Sequence, residues 1–417
     1  MNLPKLARYQ ASPAPQRRGT PWLLLLALVS SGVPAEAHEC PVLPVEKPPI
    51  HDQLSLTKVK WSELPNWADE KHHEAVPAFI ASCVKLAEHK DDDAVGADGH
   101  GGQAKQWRHA CDRANKLKPG DHQAARAFFE SEFSPWQAAG RGGPVGKLTG
   151  YFVQQIQASR GKGGKYTVPI FGRPADLAMV DLSPFIPDAH GRRIWGRLDN
   201  QGTLVPYFTR SEIRLGALAA QSLQIMYADD PVDVLFAQIE GSAKAVMADG
   251  TTVWLEFAGK NGHKYRGVGG VLKEKGLLTG AYNGTMSGIR KWFSDNPARF
   301  DEIADHNLSF VFFKESKRPG AVGSQGVVLT PRRSMAVDRA FIAHGTPIWV
   351  DTRAPRADAA GTSPWQHLLI AQDTGSGIQG AVRGDVYWGD DATAAAIGGR
   401  MGGEGRYWLL LPNGVEK

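Results

Sequence analysis

Apolar residues recur at helical spacing in two early stretches, Phe79 to Leu86 and Trp107 to Ala114, on either side of the acidic, glycine-rich run Asp91 to Gly102. A 3.6-residue period of this kind predicts two helices joined by a loop. A third helix is predicted over Ala124 to Phe129, because Pro119-Gly120-Asp121 supplies a turn followed by a cap. Residues 38 to about 137 therefore read as mostly helical. From Leu148 the texture changes. Leu148 to Gln157 reads as strand, Gly161 to Lys165 as a turn, and Tyr166 to Phe171 as a second short strand. Residues 172 to about 314 mix short strands, glycine turns and a few helices, such as Met286 to Phe293. The last hundred residues are strand-dense: Val327–Thr330, Pro347–Val350, His367–Ala371 and Tyr407–Leu411 are short apolar runs bounded by turns. That pattern predicts sandwich or barrel strands buried on at least one face.

The N-terminus changes the picture. Arg17 and Arg18 precede an apolar run from Trp22 to Val29, and Pro34-Ala35-Glu36-Ala37 offers small residues for cleavage after Ala37. This predicts a signal peptide over residues 1–37, whose apolar core is too short to span a bilayer. The segment carries Lys5, Arg8, Arg17 and Arg18 against Glu36, so its removal takes the formal charge from +5 to 5 − (4 − 1) = +2. With no dense Lys/Arg tract interleaved with aromatics, a nucleic-acid partner is not expected. No later segment is long and apolar enough for a transmembrane helix. The expectation is a periplasmic protein, and Cys40 lacks the leucine and small-residue approach of a lipid acceptor, so an outer-membrane lipid anchor is not supported. In an oxidising compartment Cys83 and Cys111 could clip the first two helices together, worth ~3 kcal/mol by chain entropy, or remain two buried thiols.

Several kinds of site are excluded by their spacing. His72-His73 and His89 lack the i, i+4 pair with a glutamate of a helical zinc site and read as a solvated face. No cysteine pair has zinc-finger spacing, and Gly241-Ser242-Ala243 is not a nucleophile elbow. Gly267 to Gly270 is not followed by a phosphate-loop lysine. No metal and no cofactor are expected. The informative stretch is Leu369 to Gly389, where an apolar strand ends on Asp373, a glycine-rich turn follows, and Asp385 opens the next segment. A carboxylate at a buried strand end is held rigidly and partly desolvated, which raises its pKa towards that of a usable acid. Asp338, in Ser334-Met335-Ala336-Val337-Asp338-Arg339, repeats the pattern. Aspartates also cap turns, and spacing alone does not separate the two readings.

Asp338, Asp373 and Asp385 in these flanks resemble the three-aspartate (3D) domain. The wider order of pieces resembles the membrane-bound lytic murein transglycosylase A family: Thr149-Gly150-Tyr151, Gly241-Ser242, Ala258 to Tyr265, Asn307 to Phe313, Gly345-Thr346-Pro347 and the Asp373–Asp385 stretch. The resemblance runs from about residue 148 to the end, with a looser match over the N-terminal helices. It implies a mainly β fold: a double-psi β-barrel formed by residues 38–155 and 315–417, which include the helical N-terminal region. A second β-rich domain, residues 156–314, is inserted into it and forms one side of a substrate groove.

The resemblance further implies cleavage of the β-1,4 bond between N-acetylmuramic acid and N-acetylglucosamine in peptidoglycan, leaving a 1,6-anhydro end. Asp385 matches the acid/base position, with Asp373 and Asp338 as its supporting aspartates. Thr149 and Tyr151 would hydrogen-bond the sugars, while Gly241, Ser242, Asn261 and His263 would hold further sugars or build the groove. Glycan strands, and cell-wall-remodelling proteins, are the implied partners. Three departures stand out: Glu240 and Ala243 replace the family's usual Gln and Gly, and Phe152 replaces a second tyrosine. A hydrolase acting on a β-1,4-glycan, with Asp373 activating water, and a non-catalytic wall-binding module are the rival readings.

Overall fold

The computed structural model describes residues 52–97, 99–186, 193–280, 282–358, 360–375 and 377–415. The predicted leader and Cys40 lie outside them. The chain opens on β1 (Ser55–Lys58) and then forms α1 (Val76–Leu86), α2 (Ala104–Ala114) and α3 (His122–Glu132). Pro77 sits in the first turn of α1, where its missing N–H costs no hydrogen bond. Asp121 caps α3 by accepting from the Ala124 N–H. Cys83 of α1 and Cys111 of α2 are joined as a disulfide. Their shared core includes Phe79, Trp107, Phe128 and Phe129, packed against Trp349, Leu368 and Trp408 of the later strands.

The helical expectation ends too late. Phe133–Ala139 is a strand, β2, because Pro135 cannot continue α3 and alternate residues of the segment bury against a sheet. The single strand expected over Leu148–Gln157 is two strands, β3 (Gly146–Tyr151) and β4 (Gln154–Ser159), which enter different sheets. Beyond the break come β5 (Val168–Phe171), β6 (Ala178–Asp181), β7 (Arg193–Leu198), β8 (Leu204–Val205) and α4 (Arg210–Arg214). They are followed by β9 (Gln224–Ala228), α5 (Pro231–Glu240), β10 (Ala243–Met247) and β11 (Thr252–Lys260). The segment ends with α6 (Val268–Glu274), α7 (Met286–Asp295), α8 (Phe300–Ala304) and β12 (Val311–Glu315). The strands β12-β11-β10-β4-β9-β5 form one sheet, and β6-β7-β8 form a small separate one.

The C-terminal segment supplies β13 (Ser334–Val337), β14 (Pro347–Pro355), β15 (Thr362–Asp373), β16 (Arg383–Tyr387), α9 (Ala392–Gly398) and β17 (Gly402–Pro412). Val327–Thr330 is not a strand. Val327 and Leu329 are buried in a loop, with Leu329 against Tyr151 and Ala336, and the partly buried Val328 makes only an isolated bridge to Val322. The order β17-β14-β15-β13-β16-β3 returns to β17 through a β17–β3 pairing, so the described strands close a six-membered ring with β2 and β1 added outside it. Alternation then sorts the side chains. Leu148, Met335, Val337, Val350 and Val386 fill the interior, so their neighbours Thr149, Ala336 and Asp385 face outward. An interior Gly384 is required, because a Cβ there would lie 2.8 Å from the Met335 sulfur.

One buried ionic cluster ties the N-terminal region to the ring. The Arg333 guanidinium donates to Glu70 at 2.7 Å and Glu74 at 2.6 Å, and Glu70 also meets His367 Nδ1 at 2.9 Å. His72 corrects the solvated-face expectation. It is fully buried, with its ring 4.2 Å from Trp67 and 5.4 Å from His122, and burial lowers its pKa to about 4.

Candidate active site

The register of four adjacent strands builds the site. Ala336 of β13 pairs with Asp373 of β15 on one side and Asp385 of β16 on the other, and Asp385 pairs with Thr149 of β3. The row Asp373–Ala336–Asp385–Thr149 therefore runs across the outer wall of the barrel. At ~4.8 Å per strand the two aspartate backbones stand about 10 Å apart on one face, with only a methyl group between them. Gly402 of β17 ends the row opposite Thr149, and a Cβ there would meet nothing within 4 Å. That leaves open space beside the hydroxyl.

Asp385 is half-buried and accepts the Thr149 hydroxyl at 2.6 Å. Burial raises its pKa to about 6, and the Asp373 charge adds to the rise, against the Thr149 hydrogen bond and the positive charges of Arg383 and Lys147. Asp373 is also raised by burial, yet its oxygens are fully engaged. One accepts the Ser324 and Thr374 N–H groups at 2.8 Å each, and the other accepts the Tyr151 hydroxyl at 2.8 Å. Burial, followed by the Asp373 charge, holds the Tyr151 phenol well above its usual value. Tyr151 is two residues from Thr149 on the same face, so β3 donates one hydroxyl to each aspartate.

Asp338 does not join this pair. Its two oxygens accept the N–H of Ala340 at 3.0 Å and of Gly380 at 2.8 Å, so it braces the glycine-rich loop between Asp373 and Asp385. The positive φ of 122° at Gly380 belongs to that turn. Gly241 is the left-handed cap of α5 at φ 79°, and Ser242 beside it is buried. Asn261 corrects the substrate-contact reading. The fully buried Asn261 amide donates to Phe208 O and Leu308 O at 2.9 and 2.7 Å and accepts from Phe310 N at 2.9 Å. His263 Nε2 contacts Tyr207 O at 2.7 Å. Both residues knit loops of the inserted segment together; Asn261 has no polar group left for a sugar, whereas His263 is partly exposed and tied through Nε2 alone.

Three neighbours of the aspartates were not legible as site residues. Glu240, the last residue of α5, is half-buried and has no hydrogen-bonding partner among the described residues. Burial, then the charges of Asp385 and Asp373, push its carboxyl well above the usual range. Its departure from the family's usual residue was visible, but its place beside the aspartates needs the α5–β10 turn. Ser324 and His344 back Asp373: His344 Nε2 lies 3.2 Å from both the Ser324 hydroxyl and the Asp373 carbonyl, and burial lowers its pKa to about 3. Among the described residues no group of histidines, cysteines and acids is arranged to hold a metal.

Residues 147–314 match the MltA specific insert domain and residues 333–411 match the 3D domain. The membrane-bound lytic murein transglycosylase A of Vibrio cholerae is 35% identical over 208 residues, which are 48% of this chain and 55% of that protein. The chain thus aligns with little more than half the length of this curated relative. Agreement with solved structures is more extensive. A membrane-bound lytic murein transglycosylase from Agrobacterium tumefaciens is 27% identical, with a TM-score of 0.74 over 86% of this chain and 98% of its own. MltA from Neisseria gonorrhoeae is 30% identical, with a TM-score of 0.71 over 87% of this chain and 94% of its own. Two matching domains, and a fold shared along nearly the whole of these solved chains, one of them 30% identical, show that this protein belongs to the membrane-bound lytic murein transglycosylase A family.

Proposed function

We propose that the protein is a lytic transglycosylase that cleaves the β-1,4 bond between N-acetylmuramic acid and N-acetylglucosamine in peptidoglycan, with Asp385 as its single acid and base. One observation carries this reading: Asp385 is the aspartate of the row whose carboxyl keeps a free oxygen on the open outer face. A pKa of about 6 leaves about half of it protonated at pH 6 and roughly a tenth at pH 7. As an acid, Asp385 gives its proton to the glycosidic oxygen while the bond from that oxygen to the muramyl C1 breaks. As the resulting carboxylate, it takes the proton of the muramyl C6 hydroxyl while that oxygen bonds to C1. No water is consumed, and the acid is restored. The internal hydroxyl has a high effective concentration, which suits a site with one working carboxyl. Tyr151 and Asp373 are positioning groups, and the Thr149 hydroxyl fixes the Asp385 rotamer.

The hydrolytic alternative needs a second carboxylate to activate water on the opposite face of the sugar. Asp373 lies on the same wall as Asp385 with both oxygens engaged, and burial raises the Glu240 carboxyl well above its usual range, which disfavours it as a base. The domain boundaries at about 155 and 315, the exported location and the partnership with glycan strands belong to the same proposal. Among the described residues no helix is long and apolar enough to cross a membrane. Mass spectrometry of muropeptides released from purified peptidoglycan tests it. Products lighter by one water than hydrolytic ones, absent with Asp385→Asn, are expected. Hydrated products would move the protein to the hydrolases, and no release from any strand preparation would favour a binding module.

A further inference from the structure

The row of acids has a second row beside it. On β16 and β3, Arg383 pairs with Lys147 just as Asp385 pairs with Thr149. Arg383 and Lys147 are each two residues from their catalytic-row neighbours, so they project from the same outer face, about 7 Å along the strands. Among the described residues neither cation makes an ion pair, and Asp385 is the acid whose charge they feel. Arg383 is half-buried and donates only to the carbonyls of Gly384 and, at 3.4 Å, Lys147. Lys147 is exposed and makes no ion pair, although Glu404 stands opposite it on β17.

Lys147 also lines an open cavity of about 510 Å³ with Val145, Gly146, Gly402, Gly403 and Glu404. A Cβ on Gly402, which stands opposite Thr149 on the outer face, would meet nothing within 4 Å, so the wall beside the Thr149 hydroxyl is clear of side chains.

Two cations without an ion-pair partner beside a catalytic acid work against it, because they favour the ionised form that cannot donate a proton. An anion supplied by the substrate removes that conflict. We propose that Lys147 and Arg383, side by side on the outer face of β3 and β16, form a carboxylate-binding subsite for an anionic group of the glycan strand next to Asp385, at the edge of the cavity that Lys147 lines. This rests on the transglycosylase reading and specifies the substrate chemistry of that site. The ligand is a carboxylate, from either the lactyl ether of a muramyl residue or its stem peptide. A guanidinium and an ammonium set side by side suit it, the former by its fork of donors and the latter as a point charge. Occupancy cancels positive charge at Asp385 and keeps its proton in place until the leaving oxygen takes it. The groups that face this carboxyl are Thr149, Lys147 and Arg383 on its own wall, Asp373 and Tyr151 across the row, and Glu240 from the inserted segment. Among them, only the two cations await an anion.

The test is binding to the Asp385→Asn chain, with and without Lys147→Met, using three probes. Chitohexaose is uncharged, peptide-free glycan strands carry lactyl carboxylates, and peptide-bearing strands carry stem-peptide carboxylates. Lys147→Met is expected to weaken an anionic probe about tenfold, the loss of one charge-assisted contact, and chitohexaose less than twofold. The anionic probe that is weakened identifies the source of the carboxylate. Glu404→Gln removes the acid opposite Lys147 and is expected to tighten that same probe. In wild type, the alkaline limb of kcat should lie at higher pH on the anionic strand than on a neutral oligomer. Equal weakening of all three probes, or none, overturns the subsite and leaves the transglycosylase reading intact. Failure of the Asp385→Asn chain to bind any probe would sink both.

Discussion

Replacing Asp385 by Asn should inactivate the protein and, above neutral pH, stabilise it. In the folded chain the Asp385 pKa is raised from its usual 3.8 to about 6, chiefly by burial. The unfolded chain gives up the proton more easily, so ionisation favours unfolding. The sign follows from linkage. Below the unfolded value both states are protonated and there is no penalty; it grows as pH rises from 3.8 towards 6 and is complete above the folded value. At 1.36 kcal/mol per unit the shift is worth about 3 kcal/mol, reduced to roughly 2 because the carboxyl is only half-buried. Asn keeps the shape and loses the charge, at the cost of weakening the Thr149 hydrogen bond by about 1 kcal/mol.

The variant should therefore melt about 2–4 °C above wild type at pH 7.5, and the difference should shrink and change sign near pH 4. Thermal unfolding of both chains across pH 4–8, followed by near-UV circular dichroism, reads this directly. Turnover on peptidoglycan should fall by a factor on the order of 10³ in the same samples. A difference in melting temperature that does not vary with pH would refute the raised pKa, and with it the reason for assigning the acid to Asp385. A variant that is unstable at every pH would instead make the residue a structural one.

Tyr151→Phe removes one donor from Asp373 and should lower kcat about tenfold with less than a twofold change in KM, measured on soluble strands, since it acts through Asp373's position. Restored activity in Tyr151→Trp, which fills the space without the hydroxyl, would contradict that role. Arg333→Met leaves Glu70, whose side chain is 1% exposed, without its buried cation and should cost about 3 kcal/mol in chemical denaturation, which pH values low enough to protonate Glu70 would partly recover. Reduction of Cys83–Cys111, which lie 28 residues apart, should destabilise the chain by about 3 kcal/mol in thermal melts while the pH dependence of turnover keeps its shape.

The long-period features were legible in the sequence, and the contact-dependent ones were not. Helical spacing placed α1 and α2, and Asp121 as a cap placed α3, because these are decided within a few residues. The apolar run ending on Asp373 could be read as a strand end for the same reason. Val327–Thr330 looked identical to such a run, yet its apolar residues pack as a loop. Burial alone does not specify a strand without a partner edge. The Leu148–Gln157 run could not reveal its break at Phe152-Val153, since both halves alternate correctly and differ only in the sheet they join. Asn261 carries a side chain suited to sugars, and only the loops around it show that backbone groups take its hydrogen bonds. The convergence of Asp373 and Asp385 on Ala336 is a property of register, which no local pattern encodes.

That register also decides which parts of the site move together. Thr149 and Asp385 are 236 residues apart in sequence, yet they are lateral neighbours on adjoining strands of one ring. The acid, its hydroxyl partner and the two cations are thus held by backbone pairing within the barrel. Glu240 is different, because it rides on α5 and reaches the aspartates only through the way the inserted segment seats on the ring. Asp390 carries much of that seating, accepting Gln155 Nε2 at its carbonyl at 2.7 Å and Lys244 Nζ at its carboxylate at 2.8 Å. Separating Gln from Glu at position 240 therefore tests the seating as well as the charge. A closure entropy that grows only as the logarithm of loop length explains how such a long insertion is tolerated. Closing a loop of about 240 residues costs only ~1 kcal/mol more than closing one a third as long. The barrel can hold the reacting group rigidly while the insertion shapes what reaches it.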